Sequence, residues 1–159
     1  MRILLAHNSL YFPSFGGGDK SNRLLMEALA LRGHAVRVVA RVEKFGSQAH
    51  EDLIRQLRAR GVAAMVGDSS LRFELNGVDV RVLTLDPLLR SFFEKQIREF
   101  DPDVIVTSTD DPAQLLLQLA LHAGRARVVY LVRAIVGLPF GPDSPFLNQA
   151  KTAAIRRAD

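Results

Sequence analysis

Three consecutive glycines, Gly16-Gly17-Gly18, stand between a short apolar run and a stretch with helical periodicity. Glycines there let the backbone approach a phosphate closely, while the free amides and dipole of a helix N-terminus favour negative charge. The same triplet also reads as a plain flexible turn. A second group, Ser108-Thr109-Asp110-Asp111, offers two adjacent carboxylates able to raise one another's pKa. Asp110 is placed to hydrogen-bond a substrate hydroxyl, to take up its proton or to cap a helix opening at Pro112, a capping role that suits Asp111 better. Arg133, just past another apolar run, is either a cation for a phosphate or acidic substrate or an exposed loop residue. Of the four histidines His7, His34, His50 and His122, only His7 ends a strand-like run and so faces a ligand cleft.

Familiar catalytic and nucleotide motifs fail on spacing. A dinucleotide fingerprint needs GxGxxG directly after a strand. Here Gly16-Gly17-Gly18-Asp19-Lys20-Ser21 ends in Ser and starts about eight residues after His7. Glu43 stands near where a ribose-binding acid would, or is a solvated loop residue. A phosphate-cradling P-loop fails because Asp19, not Gly, precedes Lys20-Ser21 and Ser14 holds the upstream glycine position. No HExxH pair suggests a metal, no GxSxG surrounds a serine, and the absence of cysteine removes thiolate chemistry.

The elements that must position these residues follow from periodicity. Ile3–Ala6, Val36–Ala40, Val104–Val106 and Val128–Val132 are short apolar runs suited to a sheet buried on both faces. Leu24, Leu25, Ala28, Leu29 and Leu31 recur at helical spacing, with Asp19 as the expected cap and Gly33 as the stop. Further helices are predicted over 52–60, 88–100 and 112–123, and one opening at Ser144-Pro145 and running to about Arg157. Leu71–Leu75 alternates strictly and meets Asn76-Gly77, so Val78–Leu85 returns as the second strand of a hairpin. Strands alternating with helices predict a doubly wound, mainly parallel Rossmann-like α/β sheet with helices on both faces, in one domain spanning 1–159. Ligands of such sheets bind beyond the carboxyl ends of the strands, here the loops 8–19, 108–111 and 133–144.

The run from Gly16-Gly17-Gly18-Asp19 through the helix to Arg32-Gly33-His34-Ala35-Val36 resembles the start of retaining, GT4-type glycosyltransferases of the GT-B fold. Asn76-Gly77-Val78, Asp101-Pro102-Asp103-Val104-Ile105 and Arg157-Ala158-Asp159 are similar to later stations of that family's N-terminal domain. The resemblance implies an acceptor-side domain cut before its last strand, with a donor-binding C-terminal domain outside this sequence. It implies transfer of a sugar from a nucleotide-sugar to a hydroxyl acceptor, without cofactor or metal and with no activity from this piece alone. Amides of Gly16, Gly17 and Gly18 would approach the donor diphosphate, although Asp19 repels an anion unless it caps the helix or binds acceptor hydroxyls. His7, Asn8, Tyr11, Phe12, Asp19, Lys20, Ser108, Thr109 and Arg133 would contact a sugar, lipid-linked or small-molecule acceptor; aromatic faces such as Phe15 suit sugars and lipids. The family often carries a histidine after the strand matching Val104–Val106; here Thr107–Pro112 has none, so a hydroxyl or a carboxylate would substitute, with Asp110 the candidate catalytic group.

Composition narrows the remaining classes. Of 159 residues 48% are hydrophobic, enough for one domain to bury its own core. The net charge of +4 comes from scattered cations, which gives no nucleic-acid footprint. No signal peptide or spanning segment is legible, so a cytoplasmic location is expected. Leu88–Phe100 mixes phenylalanines with Arg90, Lys95 and Arg98 and suits either the core or a peripheral membrane contact. A nicotinamide-dependent oxidoreductase domain and a non-catalytic Rossmann-like binding module are the alternatives to a transferase.

Overall fold

The computed structural model describes residues 1–42, 47–84, 88–135, 138–142 and 144–159, with side chains omitted at 47–49. Seven strands form one mixed, mostly parallel sheet: β1 (Arg2–Ala6), β2 (Ala35–Arg41), β3 (Ala64–Val66), β4 (Ser70–Leu75), β5 (Val78–Leu83), β6 (Val104–Ser108) and β7 (Arg127–Leu131). Their order is β3-β4-β5-β2-β1-β6-β7, so β1 is an interior strand and its carboxyl end lies between those of β2 and β6. Pairing is parallel from β5 through β7 and antiparallel at β3-β4 and β4-β5. Asn76 and Gly77 take φ of 51° and 78°, the left-handed pair a two-residue hairpin turn needs. β5 also pairs with β2, so the hairpin is an extension of the main sheet.

Among the described residues four helices connect the strands, α1 (Gly17–Leu31), α2 (Ser47–Ala59), α3 (Leu89–Phe100) and α4 (Leu115–His122), and a fifth, α5 (Gln149–Ile155), follows β7. Alternate residues of the buried strands join two separate apolar clusters. Ile3 and Leu5 pack with Val38, Val80, Met26 of α1 and Leu53 and Leu57 of α2. Leu4 and Ala6 pack with Ile105, Phe93 of α3 and Leu116, Leu117 and Ala120 of α4. The phenylalanine stripe of α3 is thereby assigned to the core: Phe93 is fully buried, and Phe92, Ile97 and Phe100 lean on the same cluster. No helix among the described residues is long and apolar enough to cross a membrane.

Helix starts depart from the sequence reading. α1 begins at Gly17, two residues before the expected cap, because Asp19 acts from the first turn: its carboxylate accepts the Gly16 N–H at 3.3 Å. α4 begins at Leu115 rather than Pro112, after Gln114 adopts φ of 58°. α5 begins at Gln149 rather than behind Ser144-Pro145; Asn148 caps it, accepting from Lys151 N–H at 3.0 Å. Short β3 has no alternation to announce it. At the far edge, the last residue is held as a parallel strand would be: Asp159 N–H donates to Val128 O at 2.8 Å, and Tyr130 N–H to Asp159 O at 3.0 Å.

Candidate functional site

The carboxyl ends of β1 and β6 and the first turn of α1 meet around His7. Its backbone continues β1, donating to Val39 O at 2.8 Å, and its side chain is wholly buried. Nδ1 lies 3.1 Å from Asp110 Oδ2, while Nε2 lies 3.0 Å from Ser9 Oγ and 3.4 Å from Asp19 Oδ1. The Nδ1 contact has ion-pair distance but not the alignment of a good ring N–H hydrogen bond. Ser9 Oγ donates to Asp19 Oδ1 at 3.0 Å, so the serine accepts from Nε2–H and is not a hydroxyl waiting to surrender its proton to the ring. The order Ser9-His7-Asp110 thus has the connectivity of a nucleophilic triad but the hydrogen direction of an anchor. The imidazole stands between the two carboxylates, so the three do not converge on one cation position, and among the described residues no other group does.

Asp110 is the best-held carboxylate of the site. It accepts the Asn8 backbone N–H at 2.7 Å and the Ser108 hydroxyl, and its own carbonyl accepts Asn8 Nδ2 at 3.1 Å. Burial pushes its pKa upward, but His7, Ser108 and the Asn8 amide outweigh burial and hold the carboxyl below its ordinary value. Asp111 moves the other way: burial and the charge of Asp110 raise it, against the pull of the Leu116 amide. Mutual raising of the pair is therefore corrected, since only Asp111 is raised; Asp110 has its own donors. Asp111 accepts Leu116 N–H at 2.8 Å and so serves the first turn of α4, whose N-cap is Gln114, instead of capping a helix at Pro112. Thr109 is buried, and its hydroxyl accepts from Arg133 N–H and Ala134 N–H at 2.9 and 3.0 Å, which makes it a brace between the β6 and β7 loops.

Above this network lies the start of α1. Gly16, Gly17, Gly18 and Lys20 are exposed, and Asp19 and Asp110 show 16% and 17% of their side chains to solvent, whereas His7 shows none. A ligand can therefore touch both carboxylates but reaches His7 only through them. None of the three glycines has a positive φ. An added Cβ would meet nothing within 4 Å at Gly17, and only ordinary contacts at Gly16 (3.6 Å to Asp19 Oδ2) and Gly18 (3.7 Å to Arg133 Cβ). The fold itself has no steric need for glycine at these positions. Arg133 lies beside this turn, donating from Nε to Asn22 Oδ1 at 2.9 Å; buried Asn22 in turn donates to Ser108 Oγ at 3.2 Å.

Two candidate contacts are drawn into the chain's own packing, Tyr11 wholly and Phe12 in part. Tyr11 is fully buried, its hydroxyl donating to Arg23 O at 3.3 Å, and burial raises its pKa above the ordinary 10.0. Phe12 packs on the α1-side core with the Arg23 and Arg60 guanidiniums 5.9 and 5.7 Å from its ring centre. Both aromatic rings serve the loop's own packing; of this loop's aromatic residues Phe15, 62% exposed, is the one left at the surface. Asn8 fastens the β1 and β6 loops, and its carbonyl accepts Arg41 Nε at 3.2 Å. Glu43 lies outside the described residues. Ser9 and Asn22 join the site unannounced, although Ser9 follows His7 by two residues in the same loop and Asn22 follows Asp19 by one helical turn. No protein-family model matches this chain, and no curated protein does either.

Proposed function

We propose that this chain is the acceptor-side domain of a GT-B, GT4-type glycosyltransferase, a doubly wound Rossmann-like unit that moves a sugar from a nucleotide-sugar to a hydroxyl acceptor. The observation that carries the reading is the glycine triplet. Glycine in a helix's first turn is unfavourable relative to alanine by up to about 1 kcal/mol per residue, and no backbone angle or neighbour requires it at Gly17 or Gly18. What glycine does supply is a bare surface of amides above the Asp19-His7-Asp110 network, suited to close approach by a diphosphate. Asp19 is turned back onto the Gly16 amide, which lessens its repulsion of an incoming anion.

In this reading Asp110, kept ionised by its donors, accepts a hydrogen bond from the acceptor hydroxyl and orients it toward the anomeric carbon. His7 is a positioning residue that fixes both carboxylates. Lys20, Arg133, Asn8, Ser108 and Thr109 shape the acceptor side directly or through the loops they brace. No metal takes part; the leaving diphosphate is stabilised by amides of this domain and by cations of a second, donor-binding domain. The protein works in the cytoplasm, and a lipid-linked acceptor would bring it to a membrane surface.

The reading frame beyond Asp159 and a transfer assay on the natural-length protein test this. A following α/β domain, with transfer from a nucleotide-sugar that falls at least tenfold in Asp110→Asn, supports it. A natural chain ending at Asp159, or transfer indifferent to Asp110→Asn, overturns it.

A further inference from the structure

A second concave surface lies away from His7, where α3 crosses beside β4 and β5. It encloses about 530 Å³ and is lined by the cations Arg72, Arg81, Lys95 and Arg98, with Glu99 the only carboxylate among its described lining residues. The Glu99 charge is already taken: Lys95 Nζ stands 3.7 Å away, and Gln96 Nε2 donates to it at 3.5 Å. Beneath the groove Asp79 bears three guanidiniums. Arg37 and Arg81 bond it at 2.8 and 2.9 Å, and Arg72 Nε is 3.4 Å from Oδ1. Glu74 pairs opposite Asp79 across the hairpin but does not line the groove. Among the described residues five cations thus share two carboxylates, a local excess of positive charge that favours an anion.

The cations stand on a firm floor. Gln96 is buried and accepts from Arg37 Nη1 at 3.2 Å, and the Arg37 guanidinium lies 4.6 Å from the ring centre of Phe100. Ser70, Phe92 and Ser91, whose hydroxyl donates to Leu88 O at 3.1 Å and keeps its acceptor side free, complete the wall. The volume exceeds that of a bare phosphate and lies within the usual range for small-molecule pockets. We propose that this groove is a second binding site, for a phosphorylated small molecule of about sugar-phosphate size. The guanidiniums take the phosphate, and the serines and Phe92 take the polar and apolar faces of the remainder.

Calorimetric titration of the 159-residue chain with inorganic pyrophosphate tests the anion half of the site, and titration with glucose 6-phosphate the whole. Both bind, and both weaken at least tenfold in Arg72→Gln/Arg98→Gln, whose exposed side chains leave the melting temperature unchanged. Lys20→Gln/Arg133→Gln, at the α1 turn, binds as the parent does. Amide shifts on titration centre on Ser70, Ser91 and Gln96. Absence of binding at millimolar ligand, equal binding by the groove variant, or loss of binding in Lys20→Gln/Arg133→Gln instead overturns the proposal. So does flotation on phosphatidylglycerol vesicles that pyrophosphate fails to displace, which would make the groove a membrane contact.

Discussion

His7 Nδ1 stands 3.1 Å from Asp110 Oδ2, joining the end of β1 to the loop after β6 through a side chain with no exposed surface. A buried ring between two carboxylates is costly to remove from one side only, because the carboxylates keep their burial and lose their partner. His7→Ala is expected to lower stability by about 2–4 kcal/mol. Asp110→Asn introduced into that variant costs less than in the parent, since the contact it removes is already gone. Urea unfolding of the four proteins measures the coupling. Additive losses would mean that the two residues do not act as a unit.

Acid response follows from two carboxylates of opposite leaning to a third. Asp110 and Asp79 are held below their ordinary value of 3.8, in both cases against burial, by His7 and Ser108 in one and by Arg81 and Arg37 in the other. A lowered folded pKa stabilises the native state fully above 3.8, and that contribution fades as pH falls through the folded value. Asp111 is raised, so its contribution is complete below 3.8 and is lost as pH climbs through its folded value. Two against one, the chain should lose stability on acidification. Melting curves across about pH 2.5–7 should show a shallower acid decline in Asp79→Asn and Asp110→Asn than in the parent. A steeper decline in Asp111→Asn completes the pattern, and identical slopes in all four would contradict it.

The sheet was legible in the sequence because fully buried strands such as Ile3–Ala6 and Val104–Val106 are nearly continuous apolar runs, and Asn76-Gly77 admits little but a hairpin. Helix beginnings were not. Gln114 enters the left-handed region and delays α4, an event no periodicity encodes, and Asp19 caps α1 from inside its first turn. In the site, residues at strand ends came through, since topology alone gathers His7, Ser108 and Asp110. Side-chain direction did not. Tyr11 and Phe12 have the composition of a binding loop, yet both turn inward because the loop after β1 needs its own apolar anchor. Asn22 was hidden by its helix, where a single polar residue on a buried face looks like any other.

Gly17 offers a separation of stability from function. An added Cβ meets no atom within 4 Å and φ is negative, so alanine fits without strain. Gly17→Ala should therefore stabilise the chain by about 0.5–1 kcal/mol through helix propensity and a less disordered unfolded state. The methyl stands on the surface that the diphosphate is proposed to approach. In the natural-length protein the same substitution should slow transfer at least fivefold. A variant that is both more stable and fully active would show the triplet to be a turn without a ligand.

Asn22 is the buried member that links the Arg133 side chain to Ser108 at the end of β6. Its Oδ1 accepts Arg133 Nε at 2.9 Å and its Nδ2 donates to Ser108 Oγ at 3.2 Å, which in turn donates to Asp110. Asn22→Ala removes both bonds and leaves Ser108 with its donor role alone, at a cost of about 1–3 kcal/mol. Arg133 is exposed, so its guanidinium regains water and adds little to the loss. Arg133→Ala alone should then cost under about 1 kcal/mol by leaving Asn22 Oδ1 one bond short. Thermal unfolding of the two variants checks the order. If Arg133→Ala proves the more damaging, the arginine rather than the asparagine holds the β7 loop against α1.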